Sequence, residues 1–234
     1  MARRLRPLTD TRPKCLLTVA GKTLLHRTVD AMAATGITDF LVITGYREEM
    51  LREALKDYRS DSLRFRFIDN ADYEHNNNIY SLYLALNAIS DGDLLLMDSD
   101  ILTDPAAVAR VAAASLPALA MNRHELGEEE MKIVVDGDGQ IVEISKTCSP
   151  ADAIGESVGI ERITADYGAA LRSELQQMIE QEGLVDVFYE QAFQRLIPKG
   201  HTFRVIDTTD LFSFEIDTPD DYSRAQQLWP KELD

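Results

Sequence analysis

The chain has 234 residues, 45% of them apolar, with 24 basic side chains against 40 acidic ones and a formal charge of −16. That length supports the buried core of one ordinary domain, and a charge of that sign repels nucleic acid and anionic membrane surfaces, so neither is an expected partner. Two cysteines, Cys15 and Cys148, make no disulfide framework or zinc motif; no apolar run approaches the roughly 18 residues that cross a bilayer, and the basic opening leads into no export signal, so a cytoplasmic location is expected. Along the chain, the apolar spacing predicts a helix over 24–34 ending near Gly36, a buried strand over 40–44, a helix over 48–56 and a strand over 65–68. A helix over 79–88, a strand over 94–97 running into Asp98, Ser99 and Asp100, and a helix opening at Pro105 follow. The second half reads as a strand at 119–121, an antiparallel hairpin over 132–144 with a DGDG turn at 136–139, and a strand at 158–163. Helices over 165–182 and 187–196, a strand at 202–206 and a helix over 219–228 complete it. Strands alternating with amphipathic helices predict an α/β fold with a Rossmann-like mixed, mainly parallel sheet flanked by helices. The whole of 1–234 is expected to form a single domain with a hairpin lobe at about 122–163.

Three stretches carry residues that packing alone does not call for. The first, from Arg4 to Lys14, is a cationic, proline-punctuated loop of the kind that surrounds phosphate oxygens, or else a disordered basic terminus. The second is LLLMDSDILTDP at 94–105, where a hydrophobic strand runs into carboxylates at the edge of a sheet on which open α/β folds bind ligands. Asp104, directly before Pro105, reads as a helix cap, and Asp100 as a ligand or a turn residue. The third is FSFEIDTPDD at 212–221, a second strand ending in carboxylates. Asp217 can join Asp100 on one cation if both close strands at the same sheet edge; its alternative role as a helix cap is one that Thr218 can take instead. The four histidines, His26, His75, His124 and His201, have no partner at metal-ligand spacing and receive no role. No GxGxxG follows a strand, which excludes a nicotinamide-dependent dehydrogenase.

Taken together these motifs resemble the nucleotidyltransferase superfamily that makes sugar nucleotides and related activated alcohols. RLRPLTDTRPKCLLTVAGKTLL at 4–25 is similar to its signature, in which an Arg-Leu-x-Pro-x-Thr segment leads to a lysine, here Lys14. The segments NNIYSL at 77–82, DSD at 98–100, GESVGI at 155–160 and EIDTP at 215–219 are similar to the phosphocholine cytidylyltransferase branch. The resemblance implies a nucleotide-diphospho-sugar transferase fold. It also implies an enzyme that joins a nucleoside triphosphate, CTP first, to a phosphate monoester such as phosphocholine with release of pyrophosphate. Alternatives are a sugar-1-phosphate nucleotidyltransferase or a catalytically silent binding or regulatory module. Family members carry a strand and a glycine-rich loop before the Arg-Leu pair, and only Met1, Ala2 and Arg3 precede Arg4 here, so that first strand is missing from this sequence and Met1 is expected to be an internal methionine of a longer protein.

The resemblance further implies roles. Asp100 and Asp217 would hold Mg²⁺; Arg4 and Lys14 would meet the nucleotide phosphates. Asn78 and Ser81 would read the base, with helix capping as the alternative. Lys146 would meet the acceptor's phosphate and Glu156 its cationic end, each otherwise an exposed loop residue. Of Tyr80, Tyr83, Phe188, Tyr189 and Trp229, spacing makes most core residues, with some left as cation–π partners for a quaternary ammonium. The partners implied are small molecules: a nucleoside triphosphate and a phosphate ester.

Overall fold

A computed structural model describes residues 2–59, 61–90 and 92–233. In chain order the elements are β1 (Thr18–Val19), β2 (Lys22–Thr23), α1 (Leu24–Ala33), β3 (Asp39–Thr44), α2 (Glu48–Leu55), β4 (Arg64–Asp69), α3 (Asn78–Ala88), β5 (Leu94–Met97), β6 (Ile101–Thr103) and α4 (Pro105–Ala112). They continue with β7 (Ala118–Asn122), β8 (Lys132–Val135), β9 (Ile141–Ser145), β10 (Gly155–Ile163), α5 (Ala165–Gln176), α6 (Glu190–Leu196), β11 (Arg204–Asp207), β12 (Ser213–Glu215) and α7 (Pro219–Leu228). The chain divides into two compact units, one of Met1–Tyr73, Met97–Ala109 and Leu211–Asp234, the other of Glu74–Leu96 and Arg110–Asp210.

In the first unit, local chemistry sets the element ends. The Thr23 hydroxyl accepts the His26 N–H at 3.1 Å and caps α1; Gly36, at φ +94°, takes the left-handed turn that leads out of it. Helix α2 carries Glu48 and Glu49 in its first turn, where carboxylates meet the positive end of the helix dipole. Strands β3 and β4 pair in parallel from Asp39↔Arg64 to Thr44↔Asp69. Behind them Phe40, Leu51, Leu55 and Leu63 bury against Leu16, Leu25 and Val29. A second cluster joins Leu5, Leu17, Leu24, Leu102, Ile216 and Trp229, so the N-terminal loop, β6 and α7 share one core. The predicted basic loop is therefore anchored, because Leu5 is fully buried.

The second unit is a six-stranded sheet in the order β11-β7-β10-β8-β9, with β5 also on β10. Its described ladders are mixed, parallel for β11–β7 and antiparallel for β10–β7, β10–β8 and β8–β9. Ile79 and Leu86 of α3, Tyr167 and Leu171 of α5 and Phe193 of α6 pack in one cluster with Leu119, Met121 and Ile133 of the sheet. The helix expected over 165–182 is continuous but changes to a π turn at Gln177–Gln181. Helix α6 begins three residues later than its pattern suggested, at Glu190. Strand β6, too short to show an alternation, is an addition to the predicted set. Both cysteines are free and buried, and no helix among the described residues is long and apolar enough to cross a membrane.

Two glycines of the second unit should respond oppositely to a methyl group. A Cβ on Gly155 would lie 2.5 Å from the Asn122 carbonyl oxygen and also against the Met121 sulfur, and the backbone atom cannot swing aside. A Cβ on Gly168, inside α5, meets only the Ile163 methyl at an ordinary 3.5 Å. Chemical denaturation should show Gly155→Ala destabilised by about 1–3 kcal/mol and Gly168→Ala stabilised by up to about 1 kcal/mol. Equal signs for the two would contradict the β7–β10 packing described here.

Candidate functional site

Strands β6 and β12 are antiparallel, with Thr103 opposite Ser213, Leu102 opposite Phe214 and Ile101 opposite Glu215. The register brings the start of β6 beside the end of β12, so Asp100 lies next to the 215–217 segment; the Ile216 N–H reaches the Asp100 carbonyl at 3.4 Å. The two aspartates, expected to converge if both close strands at one sheet edge, meet through an antiparallel ladder. Asp217 is not consumed as a helix cap. Thr218 takes that task in a capping box with Asp221, whose N–H donates to the Thr218 hydroxyl at 3.1 Å while its carboxylate accepts the Thr218 N–H at 2.9 Å. Asp104 caps α4 as expected, accepting the Ala106 N–H at 2.8 Å.

Lys14 enters the same place from a 3₁₀ turn (Lys14–Leu16) whose next two residues, Cys15 and Leu16, are buried and fix it. Its ammonium donates to Asp217 at 2.6 Å and to Asp100 at 3.0 Å, and the side chain is only 11% exposed. Arg4 donates to the other oxygen of Asp217. A third carboxylate, Glu215, belongs to the cluster, with oxygens of Asp100, Glu215 and Asp217 all within 4.8 Å of one another. Burial works against the charged form of Lys14, yet Asp100 and Asp217 outweigh it and its pKa lies above the ordinary lysine value. Burial pushes the neighbouring Cys15 thiol up to about 12, so it stays protonated near neutral pH and is no nucleophile.

The remaining predicted residues, Trp229 of the first unit apart, belong to the second unit. Asn77 caps α3, its side chain accepting the Asn78 N–H at 2.8 Å. The Asn78 amide oxygen accepts the Tyr189 backbone N–H at 2.9 Å, which ties it to the chain after α5. Ser81 is half-buried one turn further along α3. Glu156, on β10 opposite Asn122 of β7, binds His124 Nε2 at 2.8 Å. Lys146, just past β9, lays its ammonium over the Phe188 ring at 4.5 Å, and Phe188 is among the exposed large apolar residues. Of the other aromatics, Tyr189 and Trp229 are buried, Arg27 covers the Trp229 ring, and Tyr80 pairs with Tyr83, whose hydroxyl donates to Glu180.

Sequence reasoning missed two members of these clusters. Glu215 was visible as the last alternating residue of 212–216, but only the β6 register reveals that it stands by Asp100. His124, without a partner at metal-ligand spacing in the sequence, meets a carboxylate 32 positions away, reached through the β7–β10 ladder. Lys132 also carried no signal, yet it is 1% exposed and donates to the carbonyls of Gly127, Glu128 and Glu130 at 3.1–3.4 Å, fastening an acidic loop.

Several known proteins are similar to this chain. The chain is 26% identical over 224 residues to CMP-5'-(3-aminopropyl)phosphonate synthase of Streptomyces rubellomurinus, a match covering 92% of this chain and 35% of that protein. It is 32% identical over 96 residues to choline-phosphate cytidylyltransferase of Streptococcus pneumoniae, covering 41% and 40% respectively. Each match therefore spans well under half the length of the relative. The solved structure of CTP:phosphocholine cytidylyltransferase from Streptococcus pneumoniae superposes with a TM-score of 0.81 at 22% identity over 97% of this chain and 94% of that one. This likeness establishes the α/β nucleotidyltransferase fold, a mixed sheet flanked by helices. Residues 1–195 match the MobA-like NTP transferase domain, and the chain belongs to that family.

Proposed function

We propose that the chain is a nucleotidyltransferase that joins CTP to a phosphate monoester or a phosphonate with a cationic head, releasing pyrophosphate. The observation that carries this reading is Lys14 held between Asp100 and Asp217. Two of the relatives carry names that point the same way, one a phosphonate with an aminopropyl head and the other a choline phosphate. Both ligands pair an anionic phosphorus group with a cationic nitrogen.

The donor set fits a magnesium ion. Its carboxylate oxygens are hard ligands, and three of them lie within 4.8 Å of one another. Asp100 and Asp217 would hold the ion with Glu215 in reach, and a bound Mg²⁺ would neutralise charge on the nucleotide's phosphate oxygens. Lys14 stays protonated at neutral pH, so on this reading it offsets the charge that collects as the P–O bond to pyrophosphate breaks. An acceptor oxygen that is already anionic attacks the α-phosphorus in line, so neither a protein nucleophile nor a strong general base is required. Arg4, its side chain exposed beside Asp217, would add a second phosphate contact. In the second unit, Glu156 would face the cationic head and Lys146 the acceptor's phosphorus oxygens; Asn78 and Ser81 would position the base.

Pyrophosphate release should be fastest when phosphocholine or an aminoalkylphosphonate is paired with CTP rather than UTP, GTP or ATP, and EDTA should abolish it. Silence with all four nucleotides and every ester would favour a binding module instead. Asp100→Asn and Asp217→Asn should each lower kcat about a hundredfold or more with circular dichroism unchanged. Lys14→Ala should lower kcat and raise KM for the nucleotide more than for the acceptor. Wild-type rates in any of these variants would remove the cluster from the chemistry.

A further inference from the structure

The ring of His124 has an acceptor at each nitrogen. Nδ1 lies 2.8 Å from the Glu125 carbonyl oxygen and Nε2 lies 2.8 Å from Glu156 Oε2. A carbonyl oxygen only accepts, so Nδ1 carries a hydrogen. In a neutral imidazole Nε2 is then a bare lone pair, and an ionised carboxylate offers no hydrogen to meet it. The 2.8 Å contact therefore requires one additional proton, shared by imidazolium and carboxylate or by imidazole and carboxylic acid, and in either case the pair has no net charge.

We propose that His124 and Glu156 form a proton-operated latch at the acceptor subsite: closed, they neutralise each other; open, they present a carboxylate that selects a cationic head group. This rests on the reading of Glu156 as an acceptor residue. When the proton leaves, two lone pairs face each other, the contact breaks, and Glu156 becomes available as an anion. A trimethylammonium or ammonium head and the latch proton compete for the same carboxylate, so each must weaken the binding of the other.

The surroundings favour the closed form over a useful range. Burial raises the Glu156 carboxyl, an effect that the partner imidazole and Lys146 oppose and Glu130 reinforces. Burial works against protonated His124, but the Glu156 carboxylate, the Glu125 carbonyl and Glu130 outweigh it and raise the ring. Lys146, just beyond β9, rests on Phe188 and acts on Glu156 through its charge. Arg123, next to His124, is engaged by Asp207 at 2.9 Å. The loop bearing Glu130 is held by Lys132. The pair thus keeps its proton to a higher pH than a solvent-exposed histidine does, and with side chains 43% and 26% exposed it remains open to a ligand.

Titration calorimetry on the full chain can read the latch without turnover, using phosphocholine and its uncharged isostere 3,3-dimethylbutyl phosphate. The ratio of their affinities cancels the titration of the phosphate that they share. From about pH 5.5 to about pH 8.5, across the histidine range, the preference for phosphocholine should rise about fivefold or more and then level off. In buffers of different ionisation enthalpy, phosphocholine should release more protons than its isostere. His124→Gln should keep the preference but make it independent of pH; Glu156→Gln should bring it near unity throughout, with circular dichroism confirming that both variants fold. A flat ratio in the wild type, or a rise undiminished in His124→Gln, overturns the latch. Binding of neither ester overturns both the latch and the placement of the acceptor site. A pH-dependent preference without pyrophosphate release under any condition leaves the latch standing and refutes the transfer reading.

Discussion

The first unit is arranged around one ammonium shared by two carboxylates. Two negative charges less than 5 Å apart repel by roughly 3–4 kcal/mol at an effective dielectric of about 20, and a third carboxylate adds to that load. The fold tolerates this because Lys14 is pinned by the burial of Cys15 and Leu16, while Asp100 and Asp217 are fixed on the two strands at the same end of a short antiparallel ladder. The core containing Leu5, Leu102, Ile216 and Trp229 holds all three contributing segments together. Hydrophobic packing thus sets the place at which like charges are forced to meet, and the site follows from that constraint.

The second unit applies the same device at another scale. The β7–β10 register sets Glu156 opposite Asn122 and brings His124, two residues beyond it, onto the carboxylate. Gly155 permits the close approach of those strands, since a side chain there would collide with the Asn122 carbonyl. Lys132 spends its three donors on the carbonyls of the neighbouring acidic loop, so that the Glu130 side chain contributes a fixed rather than a wandering charge. In both units strand pairing positions the carboxylates, and burial together with neighbouring charge shifts Lys14 in the one and His124 and Glu156 in the other.

Much of this was legible in the residues. Helices α1, α2, α3 and α7 and strands β3, β4 and β5 follow from apolar periodicity with caps and punctuation where they were expected, and Thr218 rather than Asp217 caps α7 because a hydroxyl before Pro219 can reach the third N–H. What periodicity could not supply was pairing. Strand β6 has three residues, too few to show an alternation, yet its register with β12 is what groups Asp100, Glu215 and Asp217. The sheet is mixed as expected, with β8 and β9 as the predicted antiparallel hairpin; that β10 also joins β7 and β8 antiparallel was not readable from the alternation of strands and helices. His124 was unreadable for the same reason, as a histidine acquires chemistry only from what stands across the ladder.

Asp100 and Asp217 are proposed as a divalent-cation site that becomes competent with a nucleotide. Binding of Mn²⁺, followed by electron paramagnetic resonance with CTP present, addresses this without reference to turnover or acceptor. The wild-type chain should form a ternary Mn²⁺–CTP complex whose affinity drops about tenfold or more when either aspartate becomes asparagine, the range for removing a metal-site partner. Equal Mn²⁺ affinity in the wild type and both variants would contradict the account.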